Sequence, residues 1–200
     1  MCKITNKKIV SLRIQCFFLA MDELIDIVNL QGEPTGNACL KSFAHQNGIL
    51  HASVHIWLYT SNQEILIQKR KEDKETFPNL WDVSVAGHIA AGETAINAAL
   101  REVKEEVDLT LSKKGLKYIG IFEEKHQHAN GIIDHEIHHI YLAQLNCDLT
   151  ALTPQKEEVS AIKLISLQEF EKNYKDSNVY VAHHHEYYHY IIKKLKETNK

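Results

Sequence analysis

A single domain of mixed α/β class is predicted, and three observations predict it. The chain has 200 residues, 44% hydrophobic and 24% charged, which is enough apolar material for one substantial core and too little chain for two full domains. From Met21 onward, strand-like alternation and helix-like spacing follow one another. No Pro/Gly/Ser-rich linker or internal repeat interrupts them, so residues 21 to 200 read as one unit.

Taken in order, residues 25 to 29 with the turn residues Gly32, Pro34 and Gly36 predict a small hairpin. Residues 53 to 60 and 64 to 70, joined by Ser61, Asn62 and Gln63, predict a second one. Residues 81 to 89 are a short extended stretch. The strongest helix covers residues 95 to 107, where Ile96, Leu100, Val103 and Val107 fall into one stripe that can be buried against a sheet. Strands follow over 117 to 124, 137 to 145 and 159 to 165. Ser166 opens a short helix through Phe170, and a terminal helix runs from about His183 to Glu197.

Residues 1 to 20, MCKITNKKIVSLRIQCFFLA, superficially resemble a secretory signal. Arg13 and Gln15 leave only residues 16 to 20 as an unbroken apolar run, shorter than a signal core and far short of the ~20 residues of a membrane span. They are read as an N-terminal extension without function. The net charge of -3 provides no basic surface for a nucleic-acid polymer. Cys2, Cys16, Cys39 and Cys147 form no CxxC pair, so neither a disulfide scaffold nor a zinc ribbon is indicated. A cytoplasmic protein with a small-molecule partner and no membrane is expected, and a homodimer is compatible with the sequence.

The chemistry concentrates in residues 87 to 109, GHIAAGETAINAALREVKEEVDL. Glu102, Glu105 and Glu106 are helical neighbours at i, i+3 and i+4, and three such carboxylates repel one another unless a cation shares them. Oxygen ligands select Mg²⁺ or Mn²⁺, with substrate phosphates completing the coordination. On a solvated helix, glutamates like these are usually ordinary surface charge. Here the surroundings argue otherwise: Gly87 and Gly92 free the preceding loop, and Arg101 can pair with Glu93 or orient a metal ligand.

Together these residues resemble the Nudix box, Gly-x5-Glu-x7-Arg-Glu-U-x-Glu-Glu-x-Gly-U with U apolar. Gly87, Glu93, Arg101, Glu102, Val103, Glu105, Glu106 and Leu109 match it. Asp108 stands where the family has Gly, a position after the helix that requires a left-handed backbone, which Asp tolerates better than most residues. The resemblance implies an α/β/α sandwich around a mixed β-sheet, with the box as a catalytic loop-helix-loop.

Residues 22 to 170 are similar to the branch of the family related to type I isopentenyl-diphosphate isomerase. The similarity rests on LHASVHIWLYTSNQEILIQKRKEDKETFPNLWDVSVAGHIAAGET and the later KEEVSAIKLISLQEF. It implies an additional transition-metal site at His45, His51, His88, Asp134 and Glu136. The isomerase needs a cysteine just before the box glycine, and this chain has Ala86, so one member of the acid/base pair is missing. The box is also nearly intact. Both features favour hydrolysis over isomerisation or binding without turnover.

The family then implies Mg²⁺- or Mn²⁺-dependent hydrolysis of a diphosphate linkage, in a nucleoside diphosphate derivative or an isoprenoid diphosphate. Glu102, Glu105 and Glu106 would hold the metal, with Glu93 and Arg101 supporting them. Glu105 or Glu106 would serve as base, or else Glu136 or Glu158. Lys69 and Arg70 are candidates for phosphate contacts. His183, His184 and His185 are read as surface, and Trp57 and Trp81 as core or pocket wall.

Overall fold

The computed structural model describes residues 22–198, so the N-terminal extension lies outside the described residues. A hairpin of β1 (Leu24–Val28) and β2 (Pro34–Leu40) leads into α1 (Lys41–Asn47). The core sheet then comprises β3 (His51–Tyr59), β4 (Glu64–Arg70), β5 (Trp81–Asp82) and β6 (Val85–His88), joined after the box helix α2 (Ala95–Val107) by β7 (Lys117–Gln127), β8 (Ile133–Gln144) and β9 (Val159–Ser166). Two helices follow, α3 (Leu167–Asn173), capped by the Ser166 side chain accepting from Glu169 N–H, and α4 (His185–Thr198). The helix α1 had no expectation in the sequence: its seven residues carry no acidic first turn and no side-chain cap, the signals that mark a start.

Residues 53 to 60 and 64 to 70 are both strands, yet they do not form the hairpin ladder expected of them. β3 and β4 register only at Tyr59 and Ile65 and then diverge. A serine accounts for part of the opening. Ser84 is fully buried between them, its hydroxyl accepting from Leu58 N–H (2.8 Å) and donating to the Leu66 carbonyl (2.5 Å), so it satisfies both strands in place of direct pairing. Beyond it β3 pairs with β8 in parallel and with β6 in antiparallel, while β4 pairs with β9 and β5. The predicted stretch 81 to 89 is accordingly two strands that serve different halves.

Alternation in β3 and β4 sorts two cores. Ile56, Leu58 and Leu66 face α2 with Val54, Val85, Ala98, Ala99, Val103 and Val107. Trp57, Ile65 and Ile67 face α3 and α4 with Phe170, Tyr187, Tyr188, Ile191 and Leu195. This is the expected sandwich, with helices on both faces of a mixed sheet. The buried face of α2 is rotated from the predicted stripe: Ala98, Ala99, Val103, Glu106 and Val107 are buried, and Ile96 and Leu100 pack at its flank. Small alanines bring the helix close to the sheet, and the rotation carries Glu106 inward with them.

Asp108 ends α2 with φ 56° and ψ 29°, the left-handed conformation expected of that position. Asp108→Gly is expected to raise stability by roughly 0.5 kcal/mol, because the exposed Lys104–Asp108 pair it removes contributes little. Denaturant unfolding checks this, and a loss of stability would show that the ion pair outweighs the backbone conformation. No helix among the described residues is long and apolar enough to cross a membrane.

Candidate active site

A cavity of about 330 Å³ opens where β3 and β4 separate, and α2 and β6 to β8 also supply residues to its lining. On the α2 side, Glu102 and Glu106, one turn apart, are turned inward, while the Glu105 side chain is 51% exposed. Gly87 explains how Glu102 fits: a Cβ there would overlap the Glu102 carboxyl group. Burial raises Glu102 to about 7, against the charge of the adjacent Arg101. Burial and then the charge of Glu102 raise Glu106 to about 8. Gln68 Nε2 (3.0 Å) and Ala86 N–H (3.3 Å) donate to Glu106 and hold its carboxyl in place.

Arg101 organises the outer edge of this group. It donates to Glu93 (2.9 and 3.2 Å), Glu102 (2.6 Å), Glu105 (3.1 Å) and the His88 carbonyl (3.0 Å). The pairing with Glu93 expected from the box spacing is therefore present, and Arg101 also reaches two of the three box glutamates.

Three histidines assemble beside the same cavity, which His45 and His88 line. His45 Nε2 lies 3.2 Å from His51 Nε2 and 3.1 Å from His88 Nε2, and Glu136 Oε1 lies 3.7 and 3.6 Å from those two nitrogens. Three imidazole nitrogens so close cannot each keep a proton, whereas one cation would satisfy all of them, so the donor set fits a transition metal. Burial lowers His45 to about 4 and also lowers His88. Burial opposes ionisation of Glu136, but hydrogen bonds from His51 and His88 outweigh it and hold the carboxyl well below its usual range. Asp134 stands outside this group of four. Its Oδ2 accepts from His128 (2.8 Å), and its Oδ1 is 3.4 Å from His45 Nδ1, on the far side of that ring.

Lys69 does not line the cavity. Gln68 and Arg70 do, and the period-2 alternation of β4 turns Lys69 the other way. Arg70 is held by the Thr76 carbonyl (3.0 Å) and Asp82 (3.4 Å). Glu158 lines the cavity and pairs with Lys74, whose ammonium is lowered to about 8 by burial and the neighbouring Arg70 charge.

One reading from the sequence is overturned. His183 precedes α4 and is buried in the cavity floor between Asp82 (3.0 Å) and Glu124 (2.5 Å), while His184 and His185 are exposed. Burial opposes its protonation, but those carboxylates push it up to about 10. Glu124 and His138 complete this floor. His138 continues the alternation of Asp134 and Glu136 along β8 and was detectable by it. His183 lies in an aperiodic segment and was not.

A sandwich of this topology, with glutamates of one helix turned over a glycine loop into a cavity, is matched by a known family. The NUDIX domain model matches residues 49–190, and the chain belongs to the Nudix hydrolase family. It is similar to Nudix hydrolase 3 of Arabidopsis thaliana, 36% identical over 153 residues, which are 74% of this chain but 20% of that longer protein. It is also similar to the isopentenyl-diphosphate Delta-isomerase of Pectobacterium atrosepticum, 32% identical over 143 residues, 72% of this chain and 76% of that protein. Among solved structures, a Deinococcus radiodurans protein shares the fold with a TM-score of 0.63 at 18% identity, covering 86% of this chain and 99% of that one.

Proposed function

We propose that the protein hydrolyses a diphosphate linkage in a small molecule, with Mg²⁺ or Mn²⁺ held by Glu102, Glu105 and Glu106. The observation that carries this reading is the inward pair of a half-buried Glu102 and a buried Glu106, raised to about 7 and 8, an arrangement that a bound cation relieves. When bound, the metal neutralises charge on the diphosphate and acidifies the attacking water. The chain's own residues do the rest. Arg101 and Glu93 fix the box carboxylates, and Arg70, Lys74 and Lys41 bring positive charge to the cavity wall for the phosphates. Glu105 or Glu106 takes the proton from water, with Glu136 and Glu158 as alternatives in the same cavity.

A second reading, isomerisation of isopentenyl diphosphate, is favoured by the assembled histidines and by the named isomerase relative. Ala86 speaks against it, since it lines the cavity without an ionisable group. A panel of nucleoside and isoprenoid diphosphates with Mg²⁺ or Mn²⁺ separates the cases. Metal-dependent phosphate release is expected from at least one member, with no dimethylallyl diphosphate from isopentenyl diphosphate. Silence with every compound would favour a binding module, and isomerised product would favour the second reading.

The histidines and Glu136 are proposed to hold a transition metal more tightly than the box holds Mg²⁺, because imidazole prefers Zn²⁺, Mn²⁺ or Fe. His51→Ala with His88→Ala is expected to remove one equivalent of metal from desalted, tag-free protein. Full retention by the double variant would mean that these rings merely line the pocket.

A further inference from the structure

We propose that Glu124, His138 and His183 form a further transition-metal site on the cavity floor, with ligands distinct from the box carboxylates and from the His45, His51 and His88 group, which it adjoins through Glu136, whose Oε2 lies 3.5 Å from His138 Nδ1. Glu124 Oε2 lies 3.2 Å from His138 Nε2 and 2.5 Å from His183 Nδ1. These three atoms come from β7, β8 and the segment ahead of α4, and all lie within 4.8 Å of one another.

Each ring is held from behind at its other nitrogen. His183 Nε2 donates to Asp82 Oδ1 at 3.0 Å, and His138 Nδ1 is 2.7 Å from Ser53 Oγ. Metal-binding histidines have this pattern: an outer carboxylate or hydroxyl fixes the ring and its tautomer, leaving a lone pair directed inward. The carboxylate is fixed in the same way, because Glu124 Oε1 accepts the His184 N–H at 2.6 Å. Two imidazoles and one carboxylate select Zn²⁺, Mn²⁺ or Fe over Mg²⁺.

The rival arrangement is a proton clamp, an imidazolium at His183 between Asp82 and Glu124. One observation favours a metal. His126 Nε2 is buried 3.1 Å from Glu124 Oε1 without hydrogen-bond geometry, so the clamp leaves a buried nitrogen unsatisfied beside the same carboxylate, whereas a metal there offers it a coordination position. The metal would tie β7 and β8 to residues 181 to 184, which close the floor ahead of α4.

The test is a metal count on the full chain, stripped with a chelator, reloaded with Co²⁺ or Zn²⁺ and desalted. Two equivalents are expected in the wild type, one in His51→Ala/His88→Ala, and one in His183→Gln, which can still hydrogen-bond to Asp82. A single wild-type equivalent that disappears in His51→Ala/His88→Ala overturns the proposal, as do two equivalents in His183→Gln. A single wild-type equivalent lost only in His183→Gln supports this site and refutes the other histidine site. If His183→Gln fails to fold, the Co²⁺ absorption of His51→Ala/His88→Ala decides: a ligand-field spectrum supports the floor site, and its absence overturns it.

Discussion

Glu106→Gln is expected to lower metal-dependent phosphate release by on the order of 100-fold or more, while leaving the metal-free protein at least as stable as the wild type. The two halves of this result have one cause. Glu106 is buried, and its carboxyl is raised to about 8 by burial and by the charge of Glu102. Ionising it near neutral pH therefore costs free energy that a bound cation returns. Glutamine keeps the shape and still accepts from Gln68 and Ala86, so only the charge is lost.

The sign in pH follows from the raised value. The folded protein keeps a proton that the unfolded chain has released, so this group's contribution is full below about 4.5 and is lost as pH rises through about 8. Melting in chelator at pH 6.5 and 8 should show a decline in the wild type that is smaller in Glu106→Gln. Glu105→Gln is expected to lower turnover too, with little effect on melting because that side chain is half exposed. Unchanged phosphate release in both variants would sink the assignment of these glutamates.

Features set by local periodicity or fixed spacing were legible in the sequence. The span of α2 matches its prediction, the Glu93–Arg101 pair sits where the box spacing put it, and Asp108 has the backbone conformation its motif position demands. Partners set by tertiary contact were not legible. Residues 53 to 60 and 64 to 70 look like a hairpin, but nothing local reveals that Ser84, fourteen residues beyond β4, would come between them. The stripe of α2 was read from large apolar residues, yet Ala98 and Ala99 are fully buried on it while Ile96 and Leu100 are only partly buried. His183 reads as surface because it falls at the start of the predicted terminal helix, where adjacent residues face different directions, but the helix begins only at His185 and the segment ahead of it places His183 between Asp82 and Glu124.

Gly87→Ala is expected to abolish most activity through a single methyl group, again by on the order of 100-fold. The new Cβ would overlap the Glu102 carboxyl group. The backbone cannot readily retreat, because Gly87 is paired with Val54 in the β3–β6 ladder. Glu102 must move instead, although Arg101 holds it at 2.6 Å. Its displacement dismantles the carboxylate group facing the cavity and breaks a charge-assisted hydrogen bond, so stability should fall as well as turnover. A double-mutant cycle isolates the cause. In a Glu102→Ala background the methyl meets nothing of that side chain, and its stability cost should shrink to less than about 0.5 kcal/mol. If Gly87→Ala costs the same stability in both backgrounds, the glycine is required by its strand backbone, and the explanation from Glu102 is wrong.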